Sequence, residues 1–111
     1  MTLSLNKWDI WLAKVAFEDA PEITKNRPVL IMDNMQCLVL SFKITSHTPR
    51  ASYKDEYQII EWQKAGLLKP STLRISKKLL LPKDSFIFKL GKLQPIDKNN
   101  VINILSSNNN L

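Results

Sequence analysis

Most of this chain alternates apolar and polar residues over short stretches, the period of strands, and only its end carries helical spacing. Residues 8–15 read as a first strand, with Ala16 and Phe17 as a possible extension. Residues 18–26 are polar and acidic, contain Pro21, and read as a loop of about nine residues, longer than the usual roughly four to six. Residues 28–32 are a continuous apolar run, a buried strand begun by Pro28. Asp33-Asn34 suits a turn, and residues 37–45 read as the next strand. A polar loop over 46–56 follows, then a short strand at 57–60 and one helical turn at 61–66 stopped by Gly66. Residues 71–80 and 86–90 read as two more strands. Pro95 can open a helix, because its missing N–H would be unpaired there anyway. That helix puts Ile96, Val101, Ile104 and Leu105 on roughly one apolar face.

Short strands at near-regular spacing, then a C-terminal helix, predict a mainly β fold, a small antiparallel barrel. With 111 residues the chain fits one domain over 1–111, its core at about 6–105 and residues 106–111 a frayed tail. No apolar run approaches the roughly 20 residues of a membrane helix, and the first residues lack the layout of a signal peptide. The expectation is a cytoplasmic protein without a membrane partner.

Charge is uneven. Sixteen Lys and Arg stand against ten Asp and Glu, a formal net charge of +6. Residues 1–36 hold four bases and five acids, whereas residues 37–111 hold twelve bases and five acids, so the excess lies in the second part. Such a segment suits a polyanion such as nucleic acid, or equally a solvated basic surface.

The chemistry available is narrow. A single cysteine, Cys37, and a single histidine, His47, exclude an intramolecular disulfide and a Cys/His zinc site within one chain, so no metal or cofactor is expected. Two glycines cannot build a phosphate-cradling loop. His47 in a polar loop reads as a surface residue, and Cys37 as a small core residue. What remains is mostly Arg, Lys, Ser and Thr. That set suits phosphodiester chemistry on RNA, which brings its own 2′-hydroxyl nucleophile and asks for alignment, proton movement and charge stabilisation.

Five segments in order resemble the PemK/MazF toxins of type II toxin–antitoxin systems. They are Trp8-Asp9-Ile10-Trp11-Leu12, Lys25-Asn26-Arg27-Pro28-Val29-Leu30-Ile31, Ile44-Thr45-Ser46, Gly66-Leu67-Leu68-Lys69-Pro70-Ser71-Thr72-Leu73-Arg74 and Leu90-Gly91-Lys92-Leu93. The resemblance implies an SH3-like antiparallel barrel with a C-terminal α-helix, a homodimer, and a sequence-specific endoribonuclease. Such an enzyme cuts single-stranded mRNA without metal and leaves a 2′,3′-cyclic phosphate and a 5′-hydroxyl. It also implies an antitoxin protein that blocks the RNA groove. On this chain the implied catalytic residues are Arg27, stabilising the phosphoryl charge with proton transfer as a second role, Thr45, holding and polarising the phosphate, and Arg74. RNA contact is expected from Ser46, Arg50, Lys69, Ser71, Ser76 and Lys77. Trp11 and the C-terminal helix are candidates for the dimer face.

Three departures stand out. Many members begin with Gly-Asp where this chain has Trp8-Asp9, the first long loop reads Ala20-Pro21-Glu22-Ile23-Thr24, and Ser76 replaces an aspartate two residues after Arg74. The alternative is a non-catalytic module of the same fold that binds nucleic acid or a partner protein.

Overall fold

In the computed structural model, which describes residues 4–17, 19–48 and 55–108, the four successive apolar side chains Val29, Leu30, Ile31 and Met32 are all buried. Neighbouring residues of a strand point to opposite faces, so consecutive burial means that both faces of this strand are covered. Two apolar clusters do the covering. Ile10, Leu30, Phe42, Ile44, Leu73, Leu93 and Val101 belong to one, and Trp11, Val29, Ile31, Val39, Leu81 and Phe86 to the other.

Six strands build the sheet: β1 (Asp9–Ala16), β2 (Thr24–Asn34), β3 (Leu38–Thr45), β4 (Glu56–Gln58), β5 (Thr72–Pro82) and β6 (Phe86–Lys92). A 3-10 turn at Lys83–Ser85 joins the last two, and α1 (Pro95–Asn108) ends the described chain. All pairs are antiparallel, in the order β4-β5-β3-β2-β1-β6. The fold is thus mainly β with a C-terminal helix, as expected, but the sheet does not close into a hydrogen-bonded barrel. β4 and β6 are its two edges. The turn after β4 meets β6 through backbone packing at Gly66 and Gly91 instead.

Several boundaries differ from the expected ones, each for a local reason. β2 begins at Thr24, so Pro28 lies inside the strand rather than at its start. The ladder with β3 begins only at Val29, leaving Pro28 a strand on one side, the edge setting in which a missing N–H is tolerated. Asp33 and Asn34 pair with β3, so the turn falls just after them, and Cys37 is exposed there rather than buried. Residues 106–108, expected to fray, are helical. On α1, Ile96 is 48% exposed while Asp97 is fully buried. Trp11, a candidate for a dimer face, is buried within the chain, edge-on to Phe86 with ring centroids 6.2 Å apart. Among the described residues no helix is long and apolar enough to cross a membrane.

Candidate RNA-binding groove

Because β3 stops pairing with β2 at Val29, residues 25–28 border open space on one side. A groove of about 440 Å³ opens there. Its apolar walls come from Leu12, Ile44, Leu67, Phe88 and Leu90, and its cations are Lys25, Arg27 and Lys69. Thr45, Ser46 and Ser71 add hydroxyls, and no carboxylate is among the lining residues. An apolar wall with a cationic rim accepts flat, uncharged groups inside and an anionic chain along its edge.

Arg27 is half-buried, opposite the small Ala13 across the β1–β2 ladder. Its guanidinium carbon lies 5.9 Å from the centre of the Phe17 ring. That cation–π contact and the extended backbone imposed by Pro28 fix the guanidinium beside Phe17, while Arg27 also borders the groove. Thr45 ends β3, opposite Thr72 on β5. Its Oγ1 accepts a hydrogen bond from the His47 N–H at 3.4 Å, and buried Thr72 donates its hydroxyl to the His47 carbonyl at 2.5 Å. The Ser71 hydroxyl donates to the Lys69 carbonyl at 2.8 Å, closing the turn that carries the opposite wall.

A second cavity of about 410 Å³ continues on the far side of Thr45, lined by Thr45, His47, Thr48, Glu56 and Arg74. Thr45 and His47 therefore line both cavities. Arg74 Nε lies 3.2 Å from Glu56 Oε2, an ion pair set off the hydrogen-bonding line.

Five of the residues singled out from the sequence thus share one groove: Arg27, Thr45, Ser46, Lys69 and Ser71. Arg74 lies in the adjoining cavity. Ser76 and Lys77 do not join them. They occupy the irregular stretch of β5 between the pairings of Arg74 and Lys78 with β3, and line neither cavity. Arg50 lies outside the described residues. His47 is exposed, as expected from the sequence, and it also lines both cavities, which was not expected; Lys25 is a further lining cation outside the expected set.

A buried polar cluster supports the second cavity from behind. Asp97 Oδ1 accepts from the Tyr57 hydroxyl at 2.5 Å and the Ile60 N–H at 2.8 Å, and Oδ2 accepts from the Glu61 N–H at 2.9 Å. Asn100 donates to the Tyr57 oxygen at 2.9 Å. Burial and the hydrogen bond to Asp97 push the Tyr57 hydroxyl up to about 12, while the Asn100 bond pulls the other way. One carboxylate on α1 thereby fixes the end of β4, the strand that carries Glu56.

No family model matches the sequence, and no curated protein matches it. Among solved structures the chain is similar to the Mycobacterium tuberculosis toxin MazF-mt6, with a TM-score of 0.68 and 18% identity over 93% of this chain and 97% of that one. Strand order, terminal helix and this likeness along nearly the whole length agree, and the chain has a MazF-like fold.

Proposed function

We propose that this chain is an endoribonuclease toxin that cuts single-stranded RNA without metal, in the cytoplasm, as a homodimer restrained by an antitoxin protein. The observation that carries this reading is the meeting of Arg27 and Thr45, from different strands, in a cation-rimmed groove free of lining carboxylates. The MazF-like fold supports it.

In this reading the RNA backbone follows the rim and its bases enter the apolar groove. The Arg27 fork engages two phosphoryl oxygens, and the Thr45 hydroxyl adds a neutral hydrogen bond. The 2′-oxygen attacks phosphorus in line, the bond to the 5′-oxygen breaks, and the products are a 2′,3′-cyclic phosphate and a 5′-hydroxyl. Arg27 stabilises the charge that gathers on the phosphoryl oxygens. Lys25 and Lys69 place the strand by sequence-independent attraction. An acidic peptide with apolar side chains would fit the same groove, the reason to assign it to the antitoxin as well.

The test is cleavage of RNA by the purified chain in excess EDTA. Cutting that persists, and stops when the cleaved nucleotide carries deoxyribose, supports the reading. Binding of RNA without any cutting, with or without magnesium, would favour the non-catalytic module instead.

A further inference from the structure

Phosphodiester cleavage has a leaving-group problem as well as a phosphate-charge problem. Departing 5′-alkoxide is a poor leaving group, and in the reading above Arg27 and Thr45 serve the phosphoryl oxygens. We propose that His47 is the general acid that protonates the 5′-oxygen. This rests on the nuclease reading above.

Its placement carries the argument. His47 is the chain's one histidine, and it lines both cavities at the point where they meet, beside Thr45. A phosphate held at Thr45 has one flanking nucleotide toward each cavity. The groove's cations attract the phosphate chain, and as the reaction proceeds negative charge gathers on the phosphoryl oxygens and on the departing 5′-oxygen. In this assignment that 5′-oxygen is turned toward the second cavity. Of the residues lining that cavity, the His47 imidazole is the side chain whose chemistry suits proton donation, and the Glu56 carboxylate is engaged with Arg74.

The backbone of His47 is also fixed on both sides, its N–H by the Thr45 hydroxyl and its carbonyl by the Thr72 hydroxyl. Thr72 is 1% exposed and opposite Thr45 on the neighbouring strand, so one pair of facing threonines holds the segment that presents the imidazole. Thr72 is a positioning residue in this scheme. In the step itself the O2′–P bond forms, the P–O5′ bond breaks, the imidazolium proton passes to the 5′-oxygen, and the 2′-hydroxyl proton goes to solvent. Solvent then reprotonates the imidazole, so no proton is gained or lost overall.

The experiment compares two RNA substrates, normal and with sulfur in place of the bridging 5′-oxygen at the cut. A thiolate leaves without protonation, so loss of the acid should matter only for oxygen. His47→Ala should cut the normal substrate on the order of a hundredfold more slowly, yet cut the sulfur substrate at close to the wild-type rate. Thr72→Val should show the same pattern more mildly, with melting temperatures measured alongside. Equal losses on both substrates, or no loss with normal RNA, would overturn the assignment while leaving the nuclease reading intact. If wild type cuts neither substrate, the nuclease reading itself fails.

Discussion

Gly66 and Gly91 lie back to back: a Cβ built on Gly91 would stand 3.3 Å from the Gly66 Cα and fall on the Ala65 carbonyl, and one built on Gly66 would fall on the Leu90 carbonyl. They are the chain's two glycines, and they join the turn after β4 to edge strand β6 where no ladder does. Gly66 also needs its φ of +94°, which side chains disfavour. Gly91→Ala should therefore cost about 1–3 kcal/mol by overpacking, and Gly66→Ala a further 1–2 kcal/mol of backbone strain, roughly. Thermal melting checks the order, with Gly66→Ala the lower. Equal melting of Gly91→Ala and wild type would show that this seam is loose.

Arg27 is the residue on which RNA cleavage should depend most. Arg27→Ala should cost on the order of 3–4 kcal/mol of transition-state stabilisation, roughly a hundredfold or more in rate. Arg27→Lys should recover only part, because a point charge cannot reproduce the planar fork. Since the side chain is half-buried, against Phe17, melting should move little. Single-turnover cleavage beside a melting curve separates the two; a folded Arg27→Ala that cuts at the wild-type rate would move the active site elsewhere.

The Tyr57–Asp97 pair predicts a pH dependence of stability. The tyrosine is raised from 10.0 to about 12 in the folded chain. Below pH 10 both states hold the proton and its stabilisation is complete. Between pH 10 and 12 the unfolded chain loses the proton and the folded chain keeps it, so stability falls as pH rises. Tyr57→Phe removes this contribution. The advantage of wild type over Tyr57→Phe in denaturant midpoint should shrink from pH 9 to pH 11, and a constant difference would contradict the assignment.

Asp97→Ala should be the harsher change in that cluster. It strands the Ile60 and Glu61 N–H groups and the Tyr57 hydroxyl, with a cost of about 3 kcal/mol or more. Urea denaturation would show it as a lower midpoint. The slope should be unchanged, since the surface exposed on unfolding is the same.

Assembly is open to direct measurement. With Trp11 buried inside the chain, a homodimer would have to use other surfaces, and sedimentation at tens of micromolar should show it if its Kd is about micromolar or tighter. Only monomer at that concentration would remove the homodimer from the functional reading.

Strand positions were legible in the sequence because apolar alternation is a local signal, as at residues 8–15 and 37–45. That Arg27, Thr45 and Lys69 share one groove was legible from short ordered motifs. What was hidden depends on distant partners. Asp97 sits among residues that read as a plain helix start, and its burial follows from donors 36 to 40 positions earlier. His47 looked like loop decoration because the threonine that holds its carbonyl lies 25 residues on. Barrel closure was overread for a similar reason: strand count says nothing of whether the edge strands meet.

Trp8 has φ +75°, in the left-handed region that glycine enters freely. Its N–H donates to Ile31 and its carbonyl accepts from Leu93, so two neighbouring segments hold the backbone there. Its ring carries Lys7 on one contact at 5.4 Å and Lys98 of α1 on another at 5.6 Å. Trp8 thus occupies a position whose backbone shape asks for glycine, and its ring instead forms a clasp between the start of the first strand and the C-terminal helix. Replacing Trp8 with glycine would relax the dihedral and release the clasp together. The two effects have opposite signs, so a melting temperature near that of wild type would hide a helix less firmly tied to the sheet, which amide exchange along 95–108 would reveal.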